Sequence, residues 1–122
     1  TLRERLVQRP PRGITPPARV ADVLRRATRA LEREPQVTRA MLCAMASNDE
    51  GALPFKQEVD DNLRAIIADA VDHPSQRVAN LDDIVHVLGS VWFAELTYWS
   101  NGLTGPGAMA DNLARAAELL LP

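Results

Sequence analysis

Cysteine, histidine and lysine are nearly missing from this sequence, and each shortage closes off a class of function. A single Cys43 among 122 residues cannot form an internal disulfide, so no disulfide framework holds the fold. With one cysteine, two separated histidines and neither a His-Glu-x-x-His nor a Cys-x-x-Cys spacing, no metal site and no cofactor are expected. Lys56 is the only lysine. Long apolar runs are missing too. Uncharged apolar stretches such as Ala65 to Ala68 and Val91 to Ala94 fall far short of the roughly 20 residues that cross a bilayer. No basic segment followed by an apolar one opens the chain as an export signal would, so a soluble protein of the reducing cytoplasm is expected, with no membrane partner. The net charge is -2, with Arg and Asp/Glu interspersed, which gives no broad positive field for a phosphate backbone. This chain alone is therefore not expected to hold DNA. Sustained alternation of β-branched residues is absent as well, which excludes sheet, and there is no internal repeat.

What remains is helical, and 122 residues suffice for one domain, residues 1–122, with a real core. Thr1 to Gln8 has helical composition and stops at Pro10-Pro11-Arg12-Gly13, a cluster that removes donors and restricts the preceding residue. A chain that begins Thr-Leu-Arg-Glu-Arg reads as the later part of a longer protein. Thr15 followed by Pro16 and Pro17 marks a helix start. Val20, Val23, Leu24, Ala27 and Leu31 then recur at helical spacing, with Arg19, Arg25, Arg26, Arg29, Glu32 and Arg33 on the other sides, until Pro35. A shorter helix is expected from about Val37 to Ala46, ended by Ser47-Asn48-Asp49-Glu50-Gly51. The next runs from about Pro54 to Asp72 on a stripe of Phe55, Val59, Leu63, Ile66, Ile67 and Ala70.

The segment from about Ser75 to Ser100 carries two apolar faces. Leu81, Ile84, Val85, Leu88, Trp92, Leu96 and Trp99 share one, and Val87, Val91, Ala94 and Tyr98 share the other. In a small chain the first face fills the core and the second most economically meets another subunit. Asn101-Gly102 supplies a left-handed cap, and a last helix from about Pro106 to Leu121 presents Met109, Leu113, Ala116, Ala117 and Leu120.

Chemistry-bearing constellations are weak. Asp82, His86 and Ser90 lie on one helical face in the order of an acid, a base and a nucleophile. A mid-helix serine has no oxyanion hole, because the nearby amides are already bonded, so these residues read as a solvated or interface face and no enzyme is expected. Gly102, Gly105 and Gly107 lack the dinucleotide spacing and follow a helix where that fingerprint follows a strand, so they read as a helix-helix turn. Met41, Met45, Trp92 and Phe93 suit either plain core or an adaptable apolar cavity. Glu95, near the edge of the inward stripe, must reach water, pair with an arginine or face a polar ligand.

The order of elements, with Arg9-Pro-Pro-Arg-Gly13, Arg19-Val-Ala-Asp-Val-Leu-Arg-Arg-Ala-Thr-Arg-Ala30, Val37-Thr-Arg-Ala-Met41 and Val91-Trp-Phe-Ala-Glu-Leu-Thr-Tyr-Trp99, resembles the C-terminal effector-binding and dimerisation domain of TetR-family transcriptional repressors. Within that family it is most similar to actinobacterial regulators of sterol and lipid catabolism. The resemblance implies an all-α bundle, a homodimer and an apolar small-molecule effector, a steroid or fatty-acyl derivative. DNA would be bound only through an N-terminal helix-turn-helix segment, of which this sequence has no trace. By position it implies a ligand pocket at Leu24, Thr28, Leu31, Met41, Met45, Leu63, Ile67, Leu88 and Trp92, and a dimer interface at Val87, Val91, Ala94, Tyr98, Leu113 and Leu120. The alternative is a stand-alone helical module that docks a partner helix in a groove.

Overall fold

The structure, a computed structural model, describes residues 2–71, 79–105 and 107–121. Among these residues there are six α-helices, one 3-10 turn and no strand: α1 Leu2–Gln8, α2 Pro16–Glu32, α3 Pro35–Ala46, the turn Glu50–Ala52, α4 Leu53–Val71, α5 Leu81–Ser100 and α6 Ala108–Leu120. The expected all-α class is therefore observed. Among the described residues no helix is long and apolar enough to cross a membrane.

Local chemistry accounts for most boundaries. The Thr15 hydroxyl accepts from the Ala18 amide at 3.3 Å, and Pro16 and Pro17 occupy the first turn of α2, where a missing N–H costs nothing. Helix α3 begins at Pro35, two residues before the expected Val37, because proline at a first helical position starts the helix as readily as it ends the previous one. Asp49 caps the 3-10 turn by accepting from the Gly51 amide at 3.0 Å. At the end of α5, Gly102 takes φ 74°, the Gly102 amide donates to the Trp99 carbonyl at 3.0 Å and the Leu103 amide to the Tyr98 carbonyl at 2.9 Å. These two bonds satisfy carbonyls that the helix end would otherwise orphan.

Helix α5 starts at Leu81 and not near Ser75. Asn80 sits in the left-handed region at φ 59°, a conformation that interrupts a helix, while positions 75–78 of the expected helix lie outside the described residues. Helix α6 likewise starts at Ala108, after Gly107 at φ 82°, and the expected start at position 106 lies outside the described residues.

The core forms around α2, which packs along α6, α4 and α3, while α5 closes on α4 and α6. Val20, Val23 and Leu24 from α2 meet Ile67 and Val71 from α4, Leu88 and Leu96 from α5, and Met109 and Leu113 from α6 in one cluster. Each such side chain stabilises the fold by about 1.5–3 kcal/mol through removal from water. Arg19 departs from the expected polar side. It is buried, its Nε donates to the Ala70 carbonyl at 2.8 Å, its Nη2 to the Val71 carbonyl at 3.5 Å and its Nη1 to the Ile14 carbonyl at 3.0 Å. The guanidinium thus neutralises the negative end of α4 and joins it to the segment that follows α1. Arg26 continues this fastening by donating to the Arg9 and Pro10 carbonyls, and the Arg12 amide donates to Asp22 at 3.0 Å. Gly13 makes the close approach possible: at φ 133° a Cβ there would lie 2.7 Å from the Ala18 Cβ.

Candidate ligand cavity between the third, fourth and fifth helices

The apolar stripe of α4 is covered unevenly. At its C-terminal half Ile66, Ile67, Ala70 and Val71 are buried, whereas Val59 and Leu63 are half-buried and Phe55 is exposed. Beside that N-terminal half lies a cavity of about 350 Å³ between α3, α4 and α5. Its apolar walls are Met45 from α3, Val59 and Leu63 from α4, and Val85, Trp92 and Phe93 from α5. Gly89 faces the gap, where an added Cβ would lie 3.5 Å from Leu63 Cδ2. Asp60, Arg64, His86 and Ser90 also line it, and all four are exposed, so the polar side chains form a rim around an apolar interior. Arg64 donates across the rim to Asp82 at 2.7 Å, a solvated ion pair worth about 0–1 kcal/mol.

Of the nine positions expected in a pocket, Met45, Leu63 and Trp92 line this cavity. Leu24, Thr28, Ile67 and Leu88 are fully buried in the core and do not line it. The Thr28 hydroxyl bonds the Arg25 carbonyl of its own helix at 2.9 Å. Leu31 and Met41 pack against the core from its edge. The α2 stripe packs against α6 and α4, and Leu24 is fully buried among those helices. Val59, Val85, Gly89 and the rim residues were not singled out by the resemblance; a glycine in mid-helix beside a tryptophan was the available signal for a gap.

The second apolar face of α5 remains partly open within the chain, with Val87 40% and Tyr98 45% exposed and Val91 and Ala94 half-buried between them. Leu113 does not belong to that surface, because it is fully buried where α6 meets α2, and Leu120 packs partly against the same core. Leu119, 74% exposed, is the outward leucine of α6 that the expectation omitted.

The remaining candidates for chemistry resolve into ordinary contacts. The Ser90 hydroxyl donates to the His86 carbonyl at 3.0 Å and Asp82 accepts from Arg64, so Asp82, His86 and Ser90 form no relay. Buried Glu95 accepts from the Asn112 amide at 3.1 Å, which links α5 to α6. Among the described residues no three His, Cys, Asp or Glu side chains converge on a point that could hold a metal. A second, more open hollow between the segment after α1 and α2 is lined by Arg12, Thr15, Asp22, Arg25 and Glu118 and is polar.

Residues 13–120 match the family described as Tetracyclin repressor-like, C-terminal domain. Over 111 residues the chain is 28% identical to the HTH-type transcriptional repressor KstR of Rhodococcus jostii (strain RHA1), across 91% of this chain and 52% of that protein. Its fold is similar to the crystal structure of a TetR transcriptional regulator from Rhodococcus sp. RHA1, with a TM-score of 0.82 and 25% identity over 98% of this chain and 63% of that one. The chain thus spans about half the length of the curated relative.

Proposed function

We propose a role that starts from one fact: the chain belongs to the family of tetracyclin repressor-like C-terminal domains. In this role it is the ligand-sensing and dimerisation domain of a TetR-like transcriptional repressor. A mainly apolar small molecule, of the steroid or fatty-acyl kind, occupies the cavity between α3, α4 and α5. Two copies pair through the open face of α5 and through α6, and DNA is held by a helix-turn-helix segment on the N-terminal side of α1. The similarity to a repressor described as helix-turn-helix supports the last point.

The observation that carries this reading is the cavity itself. Its volume of about 350 Å³ lies in the range of small-ligand sites, and its apolar interior with a polar rim has their composition. A ligand there acts as a switch only through unequal affinity for two arrangements of the helices. The contacts supply a route for such a difference. The N-terminal half of α4 walls the cavity, its C-terminal carbonyls are held by Arg19, and Arg19 also holds the Ile14 carbonyl in the segment leading back to α1.

Sedimentation and thermal unfolding with a panel of steroids and acyl compounds test this role. The expected result is a dimer at concentrations on the order of tens of micromolar, dissociated by Val91→Arg without unfolding, together with saturable stabilisation by apolar compounds that Gly89→Leu abolishes. A monomer at these concentrations, or a panel without effect on unfolding, would sink the corresponding half of the proposal.

A further inference from the structure

We infer that the outer face of α2 is a contact surface for the phosphate backbone of DNA, built by Arg25, Arg29 and Arg33 with Arg9 beside them. The inference rests on the reading above in one respect: a helix-turn-helix segment on the N-terminal side of α1 reads the bases, and this row adds contacts that ignore sequence.

The net charge of -2 conceals a separation of charge along the chain. Residues 1–40 hold ten arginines against four carboxylates, a net charge of +6, and residues 41–122 hold four basic side chains against twelve carboxylates, a net charge of -8. An asymmetry of this size between two parts of a chain points to a polyanionic partner for the basic one. Folding gathers part of that positive charge into a row. Arg25 and Arg29 lie on one face of α2, and Arg33, which follows the helix with helical backbone angles of φ -70° and ψ -21°, extends the same face. All three are exposed. Arg9 adjoins them, because the Arg26 guanidinium donates to the Arg9 and Pro10 carbonyls. Among the described residues none of these four arginines is in an ion pair, whereas Arg26, Arg64 and Arg115 are. Between residues 5 and 48 the carboxylates are Asp22, Glu32 and Glu34, and Asp22 is taken by Arg26.

Position and chemistry select the duplex among polyanions. The bonds of Arg19 to the Ile14 carbonyl, of the Arg12 amide to Asp22 and of Arg26 to the Arg9 carbonyl lay residues 14 back to 9 along α2, from Arg19 to Arg26. The chain is thus led back to α1 at the C-terminal half of α2, where the row lies, so the DNA-binding segment of the reading above joins the molecule at its basic end. From Arg25 to Arg33 the row rises about 12 Å, which lets three guanidinium groups meet separate phosphates. Each presents the fork of donors that matches two phosphate oxygens. At physiological salt the screening length is about 8 Å, so phosphates against the row are largely screened from the carboxylates of α4 and α5.

The test titrates the 122-residue chain into fluorescein-labelled duplexes of two unrelated sequences and follows anisotropy across a salt series. Both duplexes are expected to bind equally, with a Kd on the order of 10⁻⁴ M at about 50 mM KCl and a slope of log K against log salt of about -3 to -4, as four phosphate contacts require. Arg29→Gln and Arg33→Gln, at exposed positions, should each make the slope shallower by about 1. Arg115→Gln, at an exposed arginine of α6 outside the row, should leave it unchanged. Absence of binding at the low-salt end overturns the inference, as does a slope that the row variants leave unmoved. Preference for one duplex would place base reading in this chain and overturn it too. Capture by vesicles containing phosphatidylserine, with no binding to either duplex, would assign the row to a membrane surface instead. Sedimentation and unfolding with apolar compounds, run on the same variants, read the dimer and the ligand response separately. Loss of DNA binding with both intact therefore removes this inference alone, and binding by a chain that neither pairs nor responds keeps the surface and removes the sensing role.

Discussion

The two halves of α4 share one helix and one apolar stripe, yet they meet opposite fates. The C-terminal half, with Ile67, Ala70 and Val71, is sealed against α2 and α5 and is fastened at its last carbonyls by Arg19. The N-terminal half, with Val59 and Leu63, faces a gap over Gly89. An apolar stripe therefore states that a surface wants cover and leaves open what covers it: another helix in one half, a cavity in the other.

This contrast can be broken or sharpened by substitution, beginning with the largest effect. Leu24→Ala, in the sealed layer against α4 and α6, is expected to cost about 3 kcal/mol, because a fully buried leucine leaves a void that the close-packed core cannot collapse into. Leu63→Ala, in the cavity wall, is expected to cost about 1 kcal/mol, because the half-buried side chain already lies beside empty space. Chemical denaturation of both variants measures the difference, and equal costs would mean that the cavity is closed in solution. Arg19→Ala is expected to cost about 2–3 kcal/mol, since it strips a charged donor from buried carbonyls. Arg19→Lys should recover little of this, because an ammonium cannot reproduce the fork that spans Ala70, Val71 and Ile14. If the clasp also couples α4 to the segment after α1, amide exchange at residues 9–14 should accelerate in both variants. The smallest effect has the opposite sign. Gly89→Ala should raise stability by up to about 1 kcal/mol through helix propensity while weakening ligand binding, because its Cβ meets Leu63 at ordinary contact distance and narrows the gap. A rise in melting temperature without loss of affinity would place the ligand elsewhere.

Helix positions were legible wherever local chemistry decides them. Thr15 with two prolines, Asn101-Gly102 and the 3.6-residue stripes act within a few residues, so reading them needs no knowledge of the fold. The start of α5 was not legible, because Asn80 at φ 59° is a conformation that many asparagines never adopt. Arg19 was misread for a related reason: its spacing puts it beside the other arginines, and only the arrival of the α4 terminus 51 residues away supplies acceptors that let a charge be buried.

The site divides in the same way. The sequence by itself determined that this is a helical bundle, that α5 has two apolar faces, and that methionine, leucine and tryptophan would meet beneath it. Tertiary structure alone decided which of those side chains face space and which face each other. It assigned Leu24, Thr28, Ile67 and Leu88 to the core, left Met45, Leu63 and Trp92 around a cavity, and moved Leu113 from an outer face to the interior. The physical reason is that hydrophobic burial is proportional to area and blind to the partner, so a periodic stripe is satisfied equally by a helix, a ligand or a second subunit. The choice among them depends on how far apart two helix axes come to lie, and that distance is set by the packing of the whole bundle.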